Sequence, residues 1–352
     1  MKGILIGSTT LATIIAVSLI LASLFNGKDG NIIKKKIYLD CDGNIDDFVA
    51  FLLLLNMPNI EIVGISIAPA DCEVTPAKEF LSKICYKKGL NIPIVTSDVK
   101  PVNDFPDSFK EFTSKATYLP MLLNTEYFAE NELSTDASEH MYTTAKKIFE
   151  ESGEKLTFLL TGPPSTLYKA MKNHSDMKNY IEVVYWMGGA IDVKGNVGES
   201  PYSEYNAYWD PPSTKGFIES GVPIKLISLD STNSVPLDKD FLSRIAKVSK
   251  NYNAANLVVE LFAIAYWKKE DGSDSYYAWD CLAAMSLGFD DLIKYKEAEV
   301  DVIIEKNEND NQEGRIYKKK GSNNFIQYAQ PLDSEALEEF YDTFLDLLKY
   351  NF

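Results

Sequence analysis

The chain has 352 residues, of which 45% are hydrophobic and 12% aromatic, which is long and apolar enough to bury a sizeable core and excludes a disordered polypeptide. Its 51 acidic against 35 basic side chains give a formal charge of -16, which repels phosphate backbones and anionic membrane surfaces and argues against nucleic-acid polymers as partners. The 4 cysteines, Cys41, Cys72, Cys85 and Cys281, lie in apolar or site-like segments and do not read as a disulfide framework.

No residue from Gly3 to Gly27 is charged, and Ile4 to Phe25 is mostly apolar after Lys2. Residues 1–33 are therefore expected to be a secretory signal or an uncleaved membrane anchor, putting the remainder outside the cytoplasm or on the extracytoplasmic face of a membrane. Residues 34–352 are expected to form one domain, since no Pro/Gly/Ser-rich linker or repeat breaks the pattern. Ile37 to Leu39 reads as a short buried strand and Phe48 to Leu55 as an apolar helix, joined through Gly43-Asn44. Further strands are expected at Ile60 to Ala68, Ile92 to Thr96, Leu156 to Thr161, Ile181 to Met187 and Ile224 to Leu229. Amphipathic stretches at Pro76 to Tyr86, Ala137 to Glu151 and Ser213 to Glu219 alternate with them. Asp238 to Val248, Ala254 to Lys268 and Glu335 to Lys349 read as later helices, and Val300 to Ile304 and Arg315 to Lys318 as late strands. Pro101 to Ser134 and Lys269 to Ser275 read as surface loops. Strand alternating with helix predicts an α/β fold: a single Rossmann-like domain with a mostly parallel central sheet flanked by helices.

Asp40, Asp42, Asp46 and Asp47 crowd the junction between the first strand and the first helix. Carboxylates so close, between buried segments, repel one another unless a positive charge sits among them, and a hard divalent cation such as Ca²⁺ takes oxygen ligands. One or two of these aspartates could simply complement a helix dipole or form a turn. Other polar residues follow strands at the same predicted edge: Asp71, Thr161-Gly162-Pro163, Gly188-Gly189 and Asp230. In open α/β sheets that edge binds ligands. Asn196, Glu204 and Asn206 suit a polyol, and Trp279 beside Asp280 suits a flat base or sugar face. A cation that lowers the pKa of water, with a carboxylate to take the proton, would support cleavage of a glycosidic bond between a sugar and an aromatic ring.

Asp40-Cys41-Asp42-Gly43-Asn44-Ile45-Asp46-Asp47, Thr161-Gly162-Pro163 and Met187-Gly188-Gly189 resemble the nucleoside hydrolase family, with matches from about Lys36 to the C-terminus. Gly43-Asn44 stands where the family usually has Pro-Gly. With Ala70-Asp71-Cys72, Asp192 to Val197, Ser228 to Asn233 and Tyr276 to Asp280, this is similar to the purine-preferring branch, which hydrolyses inosine, adenosine and guanosine. The resemblance implies Ca²⁺ held by Asp42, Asp47, Asp280 and the Thr161 carbonyl, with Asp42 also the general base that activates water. It implies that Asp46 and Asn206 bind the ribose 2′ and 3′ hydroxyls, that Asn196 and Glu204 serve the 3′ and 5′ side, that Asn44 lines the pocket and that Asp71 contacts the base. Trp279 matches one base-stacking position. Phe109 stands at the other, and Tyr205 stands beside Glu204, each where the branch has Trp; the smaller faces should stack more weakly. A homodimer is implied as well.

Two rival readings have distinct signatures. A phosphatase of the haloacid dehalogenase type also carries Asp-x-Asp-Gly after its first strand, but it has no use for the Asp46-Asp47 pair. A catalytically silent nucleoside-binding protein would bind inosine without releasing hypoxanthine. A broader-specificity nucleoside hydrolase is the nearer alternative.

Overall fold

The computed structural model describes residues 34–103, 119–125, 136–198, 200–266 and 276–352. The expected leader, Phe109 and the loop Lys269 to Ser275 lie outside the described residues. In chain order the elements open with β1 (Lys35–Cys41), α1 (Ile45–Leu54), β2 (Ile60–Ile67), α2 (Val74–Lys88), β3 (Ile94–Thr96) and α3 (Ala137–Ser152). Then come β4 (Leu156–Leu160), α4 (Ser165–Asn173), β5 (Ile181–Met187), α5 (Tyr205–Trp209), α6 (Pro211–Ile218), β6 (Ile224–Ile227), α7 (Leu229–Thr232), β7 (Pro236–Leu237) and α8 (Lys239–Val248). The rest is α9 (Asn253–Tyr266), β8 (Tyr276–Tyr277), α10 (Trp279–Gly288), β9 (Tyr295–Val302), β10 (Ile316–Lys318), β11 (Phe325–Ala329) and α11 (Ser334–Leu347).

Nine strands form one sheet in the order β10-β9-β11-β6-β5-β4-β1-β2-β3, and β7 pairs with β8 in a separate ribbon. All neighbours from β3 to β11 are parallel, β9 runs antiparallel to β11, and β10 antiparallel to β9. Helices cover both faces because the strands are apolar on both. Leu39 and Leu159 pack with α1, α2 and α10 in one core, while Tyr38, Phe158 and Leu160 pack with α3, α4 and α6 in the other. This is the expected α/β fold with a mostly parallel central sheet.

The strand order reverses direction along the chain between β1 and β4. There the loops leaving the two carboxyl ends diverge to opposite sides and open a crevice, the switch point where such sheets bind ligands. The acidic junction after β1 and Thr161 after β4 both lie at this point.

Some boundaries differ from the sequence reading. β6 stops at Ile227, not Leu229, because Asp230 accepts from the Ile191 and Asp192 amides at 2.9 and 2.8 Å and Leu229 starts α7. α10 begins at Trp279, which puts Asp280 in its first turn. β9 begins at Tyr295, ahead of Val300, and a one-turn 3₁₀ helix at Leu119–Leu122 interrupts the expected loop Pro101 to Ser134. No helix among the described residues is long and apolar enough to cross a membrane.

Candidate active site

The chain leaves β1 through Asp42 and Gly43. Gly43 holds φ at +77°, and a Cβ there would come within 2.6 Å of both the Ala77 Cβ and the Cys72 Sγ, so only glycine fits this turn. Asn44 then caps α1: its Oδ1 accepts from the Ile45 amide at 2.7 Å, while its own amide donates to Asp47 Oδ2 at 2.8 Å. This capping box fixes Asp47 as well as the helix start. Asn44 Nδ2 reaches across to Asp71 Oδ2 at 2.5 Å, tying the end of β2 to the same corner.

Asp46, Asp47 and Asp280 each bring a carboxylate oxygen to within 4.8 Å of the others, and Asp42 shares a hydrogen bond with Asp47. Burial first, then the neighbouring carboxylates, push Asp42 and Asp280 well above the usual carboxylate range. Burial and Asp47 push Asp46 to about 7. Burial also raises Asp47 and Asp71, although Asp42 and Thr161 bonds to Asp47, and the Asn44 bond to Asp71, oppose the rise. No lysine, arginine or histidine among the described residues pairs with Asp42, Asp46, Asp47 or Asp280. Asp40, in β1 two residues before Asp42, accepts from Ser66 Oγ at 2.5 Å and keeps a buried Oδ2 with no partner; burial raises it to about 8.

This donor set fits a hard divalent cation. Without one, protons such as that shared by Asp42 and Asp47 must neutralise the group, since several buried carboxylates cannot all ionise together. The nearby thiols do not compete as ligands: burial and the same carboxylates raise Cys41, Cys72 and Cys281 well above the usual thiol range, so thiolate character is suppressed. Oxygen-only coordination is the chemistry of Ca²⁺ or Mg²⁺.

The opposite wall comes from β4, β5 and α5. Thr161 Oγ1 donates to Asp47 Oδ1 at 2.6 Å, and the Thr161 carbonyl accepts from Asn206 Nδ2 at 3.2 Å. Asn206 Nδ2 also donates to the Met187 carbonyl at 3.0 Å, so its amide bridges the ends of β4 and β5. Glu204 is the N-cap of α5: Oε1 accepts from the Asn206 amide at 2.9 Å, and Oε2 from Gly189 at 2.8 Å and Ala207 at 3.3 Å. Burial lifts Glu204 to about 7 despite these bonds. Asn196 lies exposed at the rim and accepts from the Tyr205 amide at 3.2 Å. Tyr205 packs half-buried against Ala70 and Trp209.

Trp279 is partly exposed next to Asp280, and the Tyr276 ring meets it edge to face at 4.8 Å. Tyr276, to which the sequence assigned no role, is buried beside Trp279; nothing in its spacing announces that contact. Phe109 lies outside the described residues, and Asn196 meets the group through the Tyr205 amide alone among the contacts above. The chain has 2 histidines, and both are engaged elsewhere: His140 with the Tyr38 hydroxyl at 2.8 Å, and His174 with Glu139 at 2.7 Å.

The family described as inosine-uridine preferring nucleoside hydrolase matches residues 37–339. The pyrimidine-specific ribonucleoside hydrolase RihA of Escherichia coli is 26% identical over 240 residues, which is 66% of this chain and 73% of the relative. A probable uridine nucleosidase 2 of Oryza sativa is 25% identical over 211 residues, 59% of this chain and 61% of the relative, so the match spans less than two thirds of that protein. The solved structure of an inosine-uridine preferring nucleoside hydrolase from Bacillus anthracis superposes with a TM-score of 0.78 at 29% identity, covering 90% of this chain and 99% of that one. A purine-preferring ribonucleoside hydrolase from Gardnerella vaginalis shares the fold, with a TM-score of 0.74 at 20% identity over 90% of this chain and 99% of the other. The chain belongs to the inosine-uridine preferring nucleoside hydrolases, N-glycosidases that hydrolyse nucleosides.

Proposed function

We propose that this protein hydrolyses the N-glycosidic bond of purine ribonucleosides with the help of a bound Ca²⁺, releasing the free base and ribose. The observation that carries this reading is the convergence of Asp42, Asp46, Asp47 and Asp280 at the switch point with no basic side chain among them. Asp42, Asp47, Asp280 and the Thr161 carbonyl would hold the cation, which when bound supplies the positive charge that acidifies water and orders sugar hydroxyls. Asp42 takes the water proton. The water oxygen adds to C1′ as the C1′–N bond breaks; the departing base keeps that electron pair on its ring nitrogens and takes up one proton from solvent, which balances the proton held by Asp42. Asp46, Asn196, Glu204 and Asn206 grip the ribose, so that binding energy from its hydroxyls goes into forming an oxocarbenium-like sugar. Asn206 suits this role because its amide nitrogen is spent on two backbone carbonyls, leaving Oδ1 to accept from a sugar hydroxyl. Asn44 and Asp71 line the base side, with Trp279 and Phe109 as stacking faces.

Two observations support a purine base. Gly43-Asn44 departs from the family's usual Pro-Gly, and both histidines are committed outside the site, so no imidazole is placed to protonate the leaving group. A purine stacked on Trp279 is basic enough to take its proton from solvent. A pyrimidine preference is the second reading, favoured by the printed names of the relatives RihA and uridine nucleosidase 2. The leader supports an extracytoplasmic location, and the family resemblance a homodimer.

Base release from inosine, adenosine, guanosine, uridine and cytidine, with and without chelator, tests the proposal. Faster release from purines that stops on chelation and returns with Ca²⁺ is expected. Turnover that survives chelation would overturn the metal chemistry, and faster uridine turnover would select the second reading. Asp42→Ala should lower kcat by roughly 10²- to 10⁴-fold, the range for losing a general base.

A further inference from the structure

Ser203 ties together three stretches of chain beside α5. Its amide donates to the Ser200 carbonyl at 2.9 Å, and its own carbonyl accepts from the Asn196 and Val197 amides at 3.0 and 3.3 Å. Its hydroxyl donates to the Glu313 carbonyl at 2.6 Å, and the Ser200 hydroxyl, 2.8 Å away, reaches the same carbonyl at 3.1 Å. Both serines are 0% exposed, so water cannot replace these bonds. Glu313 lies 110 residues further along the chain, in the connection between β9 and β10, where the Gly314 amide bonds the Ile303 carbonyl at 2.8 Å and prolongs that hairpin. Gly314 holds φ at +80°, and a Cβ there would come within 2.6 Å of the Tyr208 Cα, so the hairpin backbone lies directly on α5. Asn196 and Glu204 meet at this junction. Glu204 follows Ser203 in the chain and caps α5, while Asn196 is held by the Ser203 carbonyl at its amide and by the Tyr205 amide at its Oδ1, which leaves Nδ2 to donate to a hydroxyl.

We propose that Ser203 is a positioning residue for the 5′ end of the ribose: by bonding the Glu313 carbonyl it anchors the loop of Asn196 and the start of α5 to the β9–β10 hairpin, and so sets the spacing of Asn196 and Glu204. The inference rests on the nucleoside-hydrolase reading, in which these two residues serve the 3′ and 5′ side of the sugar. Without the Ser203 hydroxyl, the Glu313 carbonyl keeps only the longer bonds from Ser200, and the loop is free to drift from the hairpin. A grip made of two side chains on separate segments loses its fit when one segment moves by a fraction of an ångström.

The test is Ser203→Ala, with base release measured on inosine and on 5′-deoxyinosine and the melting temperature taken on the same preparation. Inosine kcat/KM is expected to fall about fivefold, the scale of one neutral hydrogen bond, while 5′-deoxyinosine, which offers the grip no 5′-hydroxyl, changes by less than about twofold. Gly314→Ala presses on the same junction from the hairpin side and should narrow the preference for inosine in the same way. Ser322→Ala removes a comparable serine bond, 2.8 Å to the Val300 carbonyl elsewhere on β9, and should lower the melting temperature without changing that preference. Equal weakening toward both nucleosides, an unchanged preference in Ser203→Ala and Gly314→Ala, the same narrowing in Ser322→Ala, or failure of both junction variants to fold would each overturn the proposal. An unmodified protein that hydrolyses both nucleosides equally well would instead remove the ribose assignment of Asn196 and Glu204, and one that releases no base would defeat the nucleoside-hydrolase reading.

Discussion

Asp280 illustrates the conflict between stability and chemistry at a single residue. It is 3% exposed, and burial together with Asp46, Asp47 and Asp71 drives its pKa well up, so the metal-free fold pays to keep it. Asp280→Asn keeps the shape and removes the charge. In chelator near pH 8 the variant should be more stable than the parent, by on the order of 1 kcal/mol, while nucleoside hydrolysis falls at least about 10²-fold and the stabilisation by Ca²⁺ shrinks. Thermal melts with chelator and with Ca²⁺ check this; a less stable metal-free variant would show that Asp280 holds the fold together rather than a cation. The acidic residues of the site were legible in the sequence because charge inside apolar runs needs a reason. Tyr276 was not, since a tyrosine in an aromatic cluster looks the same whether its ring meets solvent or packs against Trp279.

At the scale of elements, α5 shows how a short piece can carry much of a site. It has five residues and begins on a glutamate, which is not among the strong N-capping residues, so neither length nor capping pattern signals it. The structure compensates by filling both oxygens of Glu204 with the amides of Gly189, Asn206 and Ala207, locking α5 to the end of β5. Glu204→Ala strands these amides and should cost about 1–3 kcal/mol in stability. It should also lower kcat/KM by displacing Asn206, whereas Glu204→Gln, which retains an oxygen acceptor, should lose less of both. Denaturant melts and inosine kinetics on the two variants decide the matter; an unchanged midpoint for Glu204→Ala would remove the capping role. Other elements escaped for related reasons. The start of α4 hides behind Pro163-Pro164, which reads as a turn, and β7 and β8 are dipeptides paired in a separate ribbon. The longer strands β1, β2, β4 and β5 were plain because continuous apolar runs are required of strands buried on both faces.

Over the whole molecule, strand order is the property least visible in the sequence. Periodicity locates strands but not neighbours, and the placement of β11 beside β6 joins residues about 100 positions apart. That order creates the switch point, and the switch point concentrates negative charge in a chain already at -16. The consequence is a pH dependence of the entire metal-free fold. Burial raises Asp46 and Glu204 to about 7 and Asp40 to about 8, whereas in the unfolded chain such groups titrate near 4. Between roughly pH 4 and 8 the folded chain therefore binds more protons than the unfolded one, and stability falls as pH rises. It is fully present below the unfolded values and lost through pH 7 to 8. Asp301 acts in the opposite sense, because Lys215 and Lys319 hold it down at about 2, but its contribution is lost only in acid below pH 4. Ca²⁺ replaces the protons among the carboxylates, so it should flatten the decline. Melting temperature in chelator is expected to drop between pH 5 and 8.5 by the equivalent of at least about 2 kcal/mol, with the gap between Ca²⁺-loaded and chelated protein widening over the same interval. A chelated protein whose melting temperature held level or rose across that interval would mean that the buried acids are neutralised by something other than protons or a divalent cation.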